Sequence, residues 1–183
     1  ARLRPLTDRL PKPLLIAGEK TLIEHQLCRL KSGGVDEVVI NTHYLAEQIE
    51  LKVGDGRRFG LRIEYSRETA ILETGGGIKK ALALLGDAPF VVASADTYLD
   101  YDFSKLCFPL NPGQVGRLIM VPNPAHHPGG DFSLDSTGLL GLSGRKLTWS
   151  GLGVLSPTLV RYETEYAFKL RQVFDREIAN GKM

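Results

Sequence analysis

Residues 4–13, RPLTDRLPKP, combine cationic side chains with prolines, which is typical of a loop that binds phosphate. Lys12 lies between Pro11 and Pro13, and these prolines restrict the backbone on both sides of it. Arg2 lies just before this segment. A preorganised lysine and arginine could stabilise the negative charge that develops when a triphosphate reacts. A solvated, proline-rich surface loop is the simpler interpretation of the same residues.

A carboxylate follows the apolar stretch FVVAS, which is predicted to be a strand over residues 90–94. This carboxylate, Asp96, would lie at the carboxyl end of that strand, where ligands bind in open α/β sheets. Mg²⁺ prefers carboxylate oxygens and bridges substrate phosphates. Asp96 is therefore a candidate magnesium ligand, and the alternative is a residue that caps the next turn.

Three consecutive glycines in residues 73–77, ETGGG, lie at the predicted start of a helix. Glycines allow another molecule to approach the backbone, and the first N–H groups of a helix have no partner within it. Such a helix start could accept an anion or the edge of a base. The segment matches neither a Walker A loop nor the dinucleotide-binding fingerprint.

Helices and strands alternate in the first half of the sequence. Apolar spacing predicts helices over residues 21–31, 44–52 and 76–85, and strands over residues 37–41, 61–66 and 90–94. Shorter strands separated by Gly and Pro follow over residues 117–121, 132–134, 139–142 and 147–155, before a last helix over residues 168–179. The pattern predicts an α/β fold with a mainly parallel central sheet flanked by helices, and with mixed or antiparallel strands in the second half.

Composition excludes several classes of function. A chain of 183 residues can form one α/β domain, and 23 basic against 21 acidic residues give a net charge of only +2. This balance is not that of a nucleic-acid-binding protein, and no apolar run approaches the roughly 20 residues of a membrane span. Cys28 and Cys107 lack metal-ligand spacing, so buried free thiols in the cytoplasm are expected.

Taken together, these segments resemble the nucleotidyltransferases that make nucleotide-activated sugars from a sugar 1-phosphate. That family has a G-x-G-x-R-x-R-P-x-T loop followed by P-K-P, and residues 2–7 and 11–13 match its second half. Residues 22–24, residues 72–78 and Asp96 follow in the family's order and approximate spacing. The resemblance covers nearly the whole chain and implies a Rossmann-like nucleotidyltransferase fold.

Within this family the chain is most similar to the bacterial N-acetylmuramate 1-phosphate uridylyltransferases of peptidoglycan recycling. The segments that carry this finer resemblance are residues 54–61, 98–103, 123–132 and 167–170. It implies a cytoplasmic enzyme, a monomer or small homo-oligomer, that uses UTP and N-acetylmuramate 1-phosphate. Mannose 1-phosphate guanylyltransferase and glucose 1-phosphate thymidylyltransferase are the alternatives within the class. An inactive, nucleotide-sugar-binding regulatory homologue is the alternative outside it.

The resemblance also implies roles for individual residues. Arg2 and Lys12 would bind the triphosphate and act in catalysis, and Asp96 would hold Mg²⁺. The base would be bound by Glu73, Thr74, Gly75 and Gly76, and the sugar by Asp131 and Gly151.

The chain departs from the family pattern in three respects. Ser94 and Ala95 precede Asp96, where the subgroup has Asn-Gly. The family's first strand and glycine loop, and its W-x-D-x-G-T segment with a second metal carboxylate, are absent from residues 1–183. We therefore expect residues 1–183 to form a single nucleotidyltransferase domain without those two segments.

Overall fold

A computed structural model describes residues 5–183, and its contacts divide them into two units. The first unit contains the described residues up to Ile71 together with Ser94–Cys107, and the second contains Leu72–Ala93 and Phe108–Met183. The first unit holds a parallel strand pair and the second holds antiparallel strands, so the predicted α/β class is confirmed. The expectation of a single domain stays a prediction.

The first unit contains a β-α-β arrangement. Its strands and helices are β1 (Ile16–Ala17), β2 (Lys20–Thr21), α1 (Leu22–Ser32), β3 (Glu37–Thr42), α2 (Ala46–Val53) and β4 (Arg62–Arg67). Strands β3 and β4 are parallel, with Glu37 opposite Arg62 and Thr42 opposite Arg67, and α2 connects them. Short 3₁₀ turns cover Leu6–Asp8, Lys12–Leu14, Arg57–Phe59 and Phe103–Cys107.

Helix α1 begins at a capping box. The Thr21 hydroxyl accepts a hydrogen bond from the backbone N–H of Glu24, while the Glu24 carboxylate accepts one from the Thr21 N–H at 2.9 Å. The helix therefore starts one residue after the predicted position. Its apolar face, which includes Ile23 and Leu27, packs into the core of the first unit with residues of β4 and α2 such as Ile63 and Ile49.

The second unit is built around one long strand. Its elements are α3 (Glu73–Leu85), β5 (Phe90–Ala93), β6 (Gly116–Val121), β7 (Phe132–Leu134), β8 (Leu140–Gly141), β9 (Lys146–Leu155), α4 (Thr158–Arg161) and α5 (Leu170–Ala179). Strand β9 pairs antiparallel with β5, β6 and β7. Phe90 of β5 lies opposite Leu155 of β9, so this pair has the antiparallel direction that was expected for strands of the second half.

A buried aromatic cluster forms the centre of the second unit. Phe174 of α5 makes edge-to-face contacts with Phe132 at 6.2 Å and with Trp149 at 5.2 Å between ring centroids. Both partners lie on strands next to one another, β7 and β9, so α5 packs across this part of the sheet. Such aromatic pairs stabilise a core beyond the area that they bury.

Two further sequence-based expectations can be compared with the structure. Cys28 and Cys107 are free thiols, but Cys28 is half-buried and Cys107 is exposed, so the expected burial was wrong. Over residues 5–183, none of the helices combines the length and the apolar character that crossing a membrane requires.

Glu24 is a buried carboxylate surrounded by donors. Its side chain is 11% exposed and forms ion pairs with Lys52 of α2 at 3.3 Å and with Arg58 at 3.0 Å. Burial raises its pKa, but the hydrogen bonds from Thr21 and the positive charge of Lys52 outweigh this and lower the pKa to about 2. The folded state therefore stabilises the ionised carboxylate.

This lowered pKa predicts a specific pH dependence of stability. The Glu24 contribution should be complete above the unfolded pKa of about 4.5 and should be lost as the pH falls from there toward 2. Glu24→Gln should lower the free energy of unfolding at pH 6 by an amount on the order of 3 kcal/mol at most. The difference in unfolding free energy between Glu24→Gln and the wild type should be smaller at pH 3 than at pH 6, as measured by urea unfolding.

Glu64→Gln is the matched control, because Glu64 is an exposed residue of β4. Its unfolding free energy should follow that of the wild type at both pH values. A Glu24→Gln gap that stays constant between pH 6 and pH 3 would contradict the assignment.

Candidate active site

Lys12 is held by the prolines on either side of it. Pro11 is extended, with ψ 143°, and caps the short turn that begins at Lys12. The backbone N–H of Leu14 donates to the Pro11 carbonyl at 2.9 Å, and the Leu14 side chain is buried in the core of the first unit. The backbone of Lys12 is thus fixed while its side chain stays 45% exposed, as the loop motif predicts.

Asp96 lies in the turn of residues 94–97 that follows β5. Its Oδ2 is 3.7 Å from Lys12 Nζ, and its side chain is 42% exposed. Two residues that were singled out separately in the sequence, one as a phosphate-binding cation and one as a magnesium ligand, therefore lie side by side in the first unit. Because both side chains are this exposed, the ion pair adds little to the stability of the fold. For the same reason, both charges are accessible to a ligand.

Both side chains line a cavity of about 530 Å³ in the first unit. Its walls come from the proline-containing loop, the end of β3 with the start of α2, and the Asp96 turn. The lining residues are Thr7, Asp8, Pro11, Lys12, Pro13, Asn41, Thr42, His43, Tyr44, Ile49 and Asp96. The sequence analysis missed residues 41–44, although they lie at the carboxyl end of a parallel strand, where ligands are expected.

Polar groups at the end of β3 shape this cavity. Thr42 is only 2% exposed, and among the described residues its hydroxyl has no hydrogen-bond partner. The Tyr44 hydroxyl donates to the Asp8 carbonyl at 2.9 Å, and the Gln48 amide donates to the Arg9 carbonyl at 3.2 Å. These two hydrogen bonds connect the loop before Lys12 to the start of α2.

The donor set is consistent with one magnesium ion bound together with substrate phosphates. Residues 5–183 contain no group of three or more His, Cys, Asp or Glu side chains that could hold a metal ion by themselves. Mg²⁺ is commonly bound by one or two carboxylates and completes its shell with phosphates and water. The exposed carboxylate of Asp96 fits that mode of binding.

The glycine-rich segment lies at the start of α3, in the second unit. The N–H groups of Gly75 and Gly76 both donate to the Phe168 carbonyl, at 3.0 and 3.3 Å. These two N–H groups are therefore already paired and are not free to donate to an anion or the edge of a base, as the sequence suggested they would be. Glu73 opens the helix with φ 57°, a conformation that is uncommon for a residue with a side chain. The nucleotide-binding role of Glu73, Thr74, Gly75 and Gly76 stays a prediction.

Asp131, a predicted sugar-binding residue, is held by neighbours in the second unit. Its Oδ2 accepts a hydrogen bond from the Trp149 N–H at 2.8 Å, and its Oδ1 lies 3.2 Å from His127 Nε2. Arg171 Nη1 is 3.9 Å from the same Oδ1. The carboxylate thus connects the start of β7 to β9, and its role in sugar binding stays a prediction.

Gly151, the other predicted sugar-binding residue, lies in a β-bulge. Leu118 of β6 is opposite Gly153, whereas Met120 is opposite Trp149, so β9 has extra residues between these pairs. Gly151 has φ 80° and is buried. Glycine adopts this conformation without the strain that a side chain would cause. The backbone conformation of the bulge therefore explains why residue 151 is a glycine. Its contact with the sugar substrate stays a prediction.

Arg2, the second predicted catalytic cation, lies outside the described residues. The predicted site residues that the structure does describe fall into both units. Lys12 and Asp96 belong to the first, and the glycine-rich segment, Asp131 and Gly151 belong to the second.

Comparison with known proteins gives a consistent family. The model of the nucleotidyl transferase family matches residues 1–122. The N-acetylmuramate alpha-1-phosphate uridylyltransferase of Neisseria meningitidis serogroup B is 46% identical over 165 residues, which cover 86% of this chain and 71% of that protein. The protein of the same name from Caulobacter vibrioides is 31% identical, with 100% of this chain and 81% of that protein covered.

A solved structure supports the same fold. The crystal structure of apo-UDP-glucose pyrophosphorylase superimposes with a TM-score of 0.72. The alignment covers 100% of this chain and 84% of that one at 16% sequence identity. At this level of identity the similarity establishes the fold.

The contact between the glycine-rich segment and Phe168 predicts the effect of adding a methyl group. A Cβ at position 75 would lie 2.4 Å from carbons of the buried Phe168 ring and 2.8 Å from its carbonyl oxygen. Gly75→Ala should therefore lower the free energy of unfolding by about 1–3 kcal/mol. Gly129→Ala is the control, because nothing lies within 4 Å of a Cβ there. Equal stability of the two variants in urea titrations would refute the close contact.

Proposed function

Because this chain belongs to the nucleotidyl transferase family, we propose that it transfers a uridylyl group from UTP to N-acetylmuramate 1-phosphate. The products would be UDP-N-acetylmuramate and pyrophosphate. The observation that carries the proposal is the Lys12–Asp96 pair, 3.7 Å apart at an open cavity. The choice of UTP and N-acetylmuramate is supported by the names of the two relatives above.

The proposed reaction is an in-line displacement at phosphorus. A phosphate oxygen of the sugar 1-phosphate attacks the α-phosphorus of UTP and forms a new P–O bond. The bond from the α-phosphorus to the oxygen that bridges to the β-phosphorus breaks, and pyrophosphate leaves with that electron pair. The displacement requires no covalent bond to the enzyme, so positioning and electrostatic stabilisation would supply the rate acceleration.

Lys12 would stabilise the charge that builds up in this step. Its ammonium group is exposed at the cavity and sits on a backbone that Pro11 and Pro13 restrict, so little reorganisation is needed when a triphosphate binds. Arg2, outside the described residues, would supply a second cation to the same phosphates.

Asp96 would hold Mg²⁺ together with the phosphates of UTP. The ion would neutralise phosphate charge and orient the leaving pyrophosphate. We assign the uracil base to Glu73, Thr74, Gly75 and Gly76, and the sugar to Asp131 and Gly151. With this activity the protein would act in the cytoplasm, in the recycling of peptidoglycan sugars.

Removing the charge of Lys12 should slow the reaction. Lys12→Ala should lower kcat by roughly 10²–10³, because one preorganised charge that stabilises the transition state is lost. Pyrophosphate release measures the rate. Lys31→Ala is the matched control, since Lys31 pairs with Asp36 on the surface of the same unit and does not line the cavity. Equal rates of Lys12→Ala and wild type would remove Lys12 from the mechanism.

A panel of substrates tests the identity of the sugar and base. Pyrophosphate release should be fastest with UTP and N-acetylmuramate 1-phosphate, and slower with N-acetylglucosamine 1-phosphate, which lacks the lactyl group and its contacts. A different result would be turnover of mannose 1-phosphate with GTP, or of glucose 1-phosphate with dTTP, and not of the muramate substrate. That result would contradict the proposed substrates but not the proposed class of reaction. Nucleotide-sugar binding without turnover of any pair would identify a regulatory protein.

A further inference from the structure

Gln26 contacts the turn that carries Asp96. It lies on α1 and is 4% exposed. Its Nε2 donates two hydrogen bonds, to the Ser94 carbonyl at 3.0 Å and to the Thr97 carbonyl at 2.7 Å. The two carbonyls belong to the residues on either side of Ala95 and Asp96. One side-chain nitrogen therefore joins both ends of a four-residue turn.

The chemistry of this contact requires a side chain with at least two N–H donors. Both partners are carbonyl oxygens, which only accept hydrogen bonds, and the amide nitrogen of Gln has two N–H donors. A carboxylate of the same shape would direct its oxygens at the two carbonyls. An apolar side chain would leave both of these half-buried carbonyls without this donor.

The other end of the same amide has no hydrogen-bond partner among residues 5–183. Among the described residues, Gln26 Oε1 has no hydrogen-bond partner although it is buried. A buried polar atom without a partner lowers stability. Among the described residues, the Gln26 amide is thus held through its two N–H donors.

We propose that Gln26 is a positioning residue that holds the turn of residues 94–97 and thereby keeps the Asp96 carboxylate at the cavity, 3.7 Å from Lys12. The role of Asp96 in this inference rests on the proposed function. Helix α1 is the fixed element to which Gln26 attaches the turn, because Ile23 and Leu27 hold this helix in the core of the first unit. Gln26 itself touches no substrate in this assignment.

The test uses Gln26→Met, which keeps the length of the side chain and removes both donors. Hydrogen exchange is followed by mass spectrometry in the absence of metal and nucleotide. Exchange in the peptide that contains residues 94–97 should become about tenfold to hundredfold faster, because two hydrogen bonds that close the turn are lost. Peptides from β3 and β4 should exchange as in the wild type.

A second measurement connects the turn to the site. In Gln26→Met, the Mg²⁺ concentration for half-maximal pyrophosphate release should rise about tenfold to hundredfold, the usual range when a residue that supports a metal ligand is lost. Binding of Mn²⁺ in the presence of UTP, measured by electron paramagnetic resonance, should weaken by the same factor.

Glu24→Gln is the matched control, because Glu24 is buried on the same helix but contacts Thr21, Lys52 and Arg58. It should lower global stability without changing exchange at residues 94–97 or the Mg²⁺ requirement. If Gln26→Met does not fold, Gln26→Ala replaces it, since this variant also removes both donors and leaves space for water.

Unchanged exchange at residues 94–97 in a folded Gln26 variant would overturn the proposal. Faster exchange with an unchanged Mg²⁺ requirement and unchanged Mn²⁺ binding would overturn the positioning role. If the wild-type protein releases no pyrophosphate with any substrate pair, the proposed function fails. Exchange at residues 94–97 then still decides whether Gln26 holds the turn, because that measurement needs no turnover.

Discussion

The buried charge of Glu24 constrains most of the first unit. A carboxylate can be buried only where donors and cations surround it. Those groups come from the start of α1 through Thr21, from α2 through Lys52, and from the following 3₁₀ turn through Arg58. They add stability to α1, whose orientation in the core is fixed by the packing of Ile23 and Leu27. The apolar residues of α1 enter the core, and Gln26 meets the turn of residues 94–97.

The same unit presents opposite charges at one open cavity. Lys12 lies on a loop whose backbone is restricted by prolines. Asp96 lies on a turn whose carbonyls accept hydrogen bonds from the buried amide of Gln26. Neither group depends on the other for its position, because each is fixed through its own backbone. A pair built in this way can separate without disturbing the surrounding fold.

Local patterns in the sequence predicted most of the helices and strands to within a few residues, but not the short elements β1, β2 and α4. Helix α3 begins at Glu73 and not at Gly76, because packing against Phe168 stabilises glycines in a helix that their propensity disfavours. The antiparallel pairing of β5 with β9 depends on a partner about sixty residues away, and nothing within FVVAS encodes that direction.

The structure brings together two predicted site residues that each carry their own chemical signal. Lys12 and Asp96 stand out by charge and by their neighbours in the sequence. The acceptor that occupies the N–H groups of Gly75 and Gly76 is a backbone carbonyl, and a carbonyl has no residue-type signature. Residues 41–44 of the cavity wall do carry a signal in the sequence, because they lie at the carboxyl end of a predicted strand, where ligands bind in open α/β sheets.

The order of the units along the chain has a consequence for folding during synthesis. The carbonyls that accept hydrogen bonds from Gln26 lie 68 and 71 residues further along the chain, so they are synthesised after it. At translation rates of roughly 5–20 residues per second, that interval lasts roughly 3–14 s. The first unit is complete only when residue 107 of 183 has been made, after the start of the second unit has already appeared. The side-chain amide of Gln26 therefore lacks these two acceptors until residues 94–97 have been synthesised.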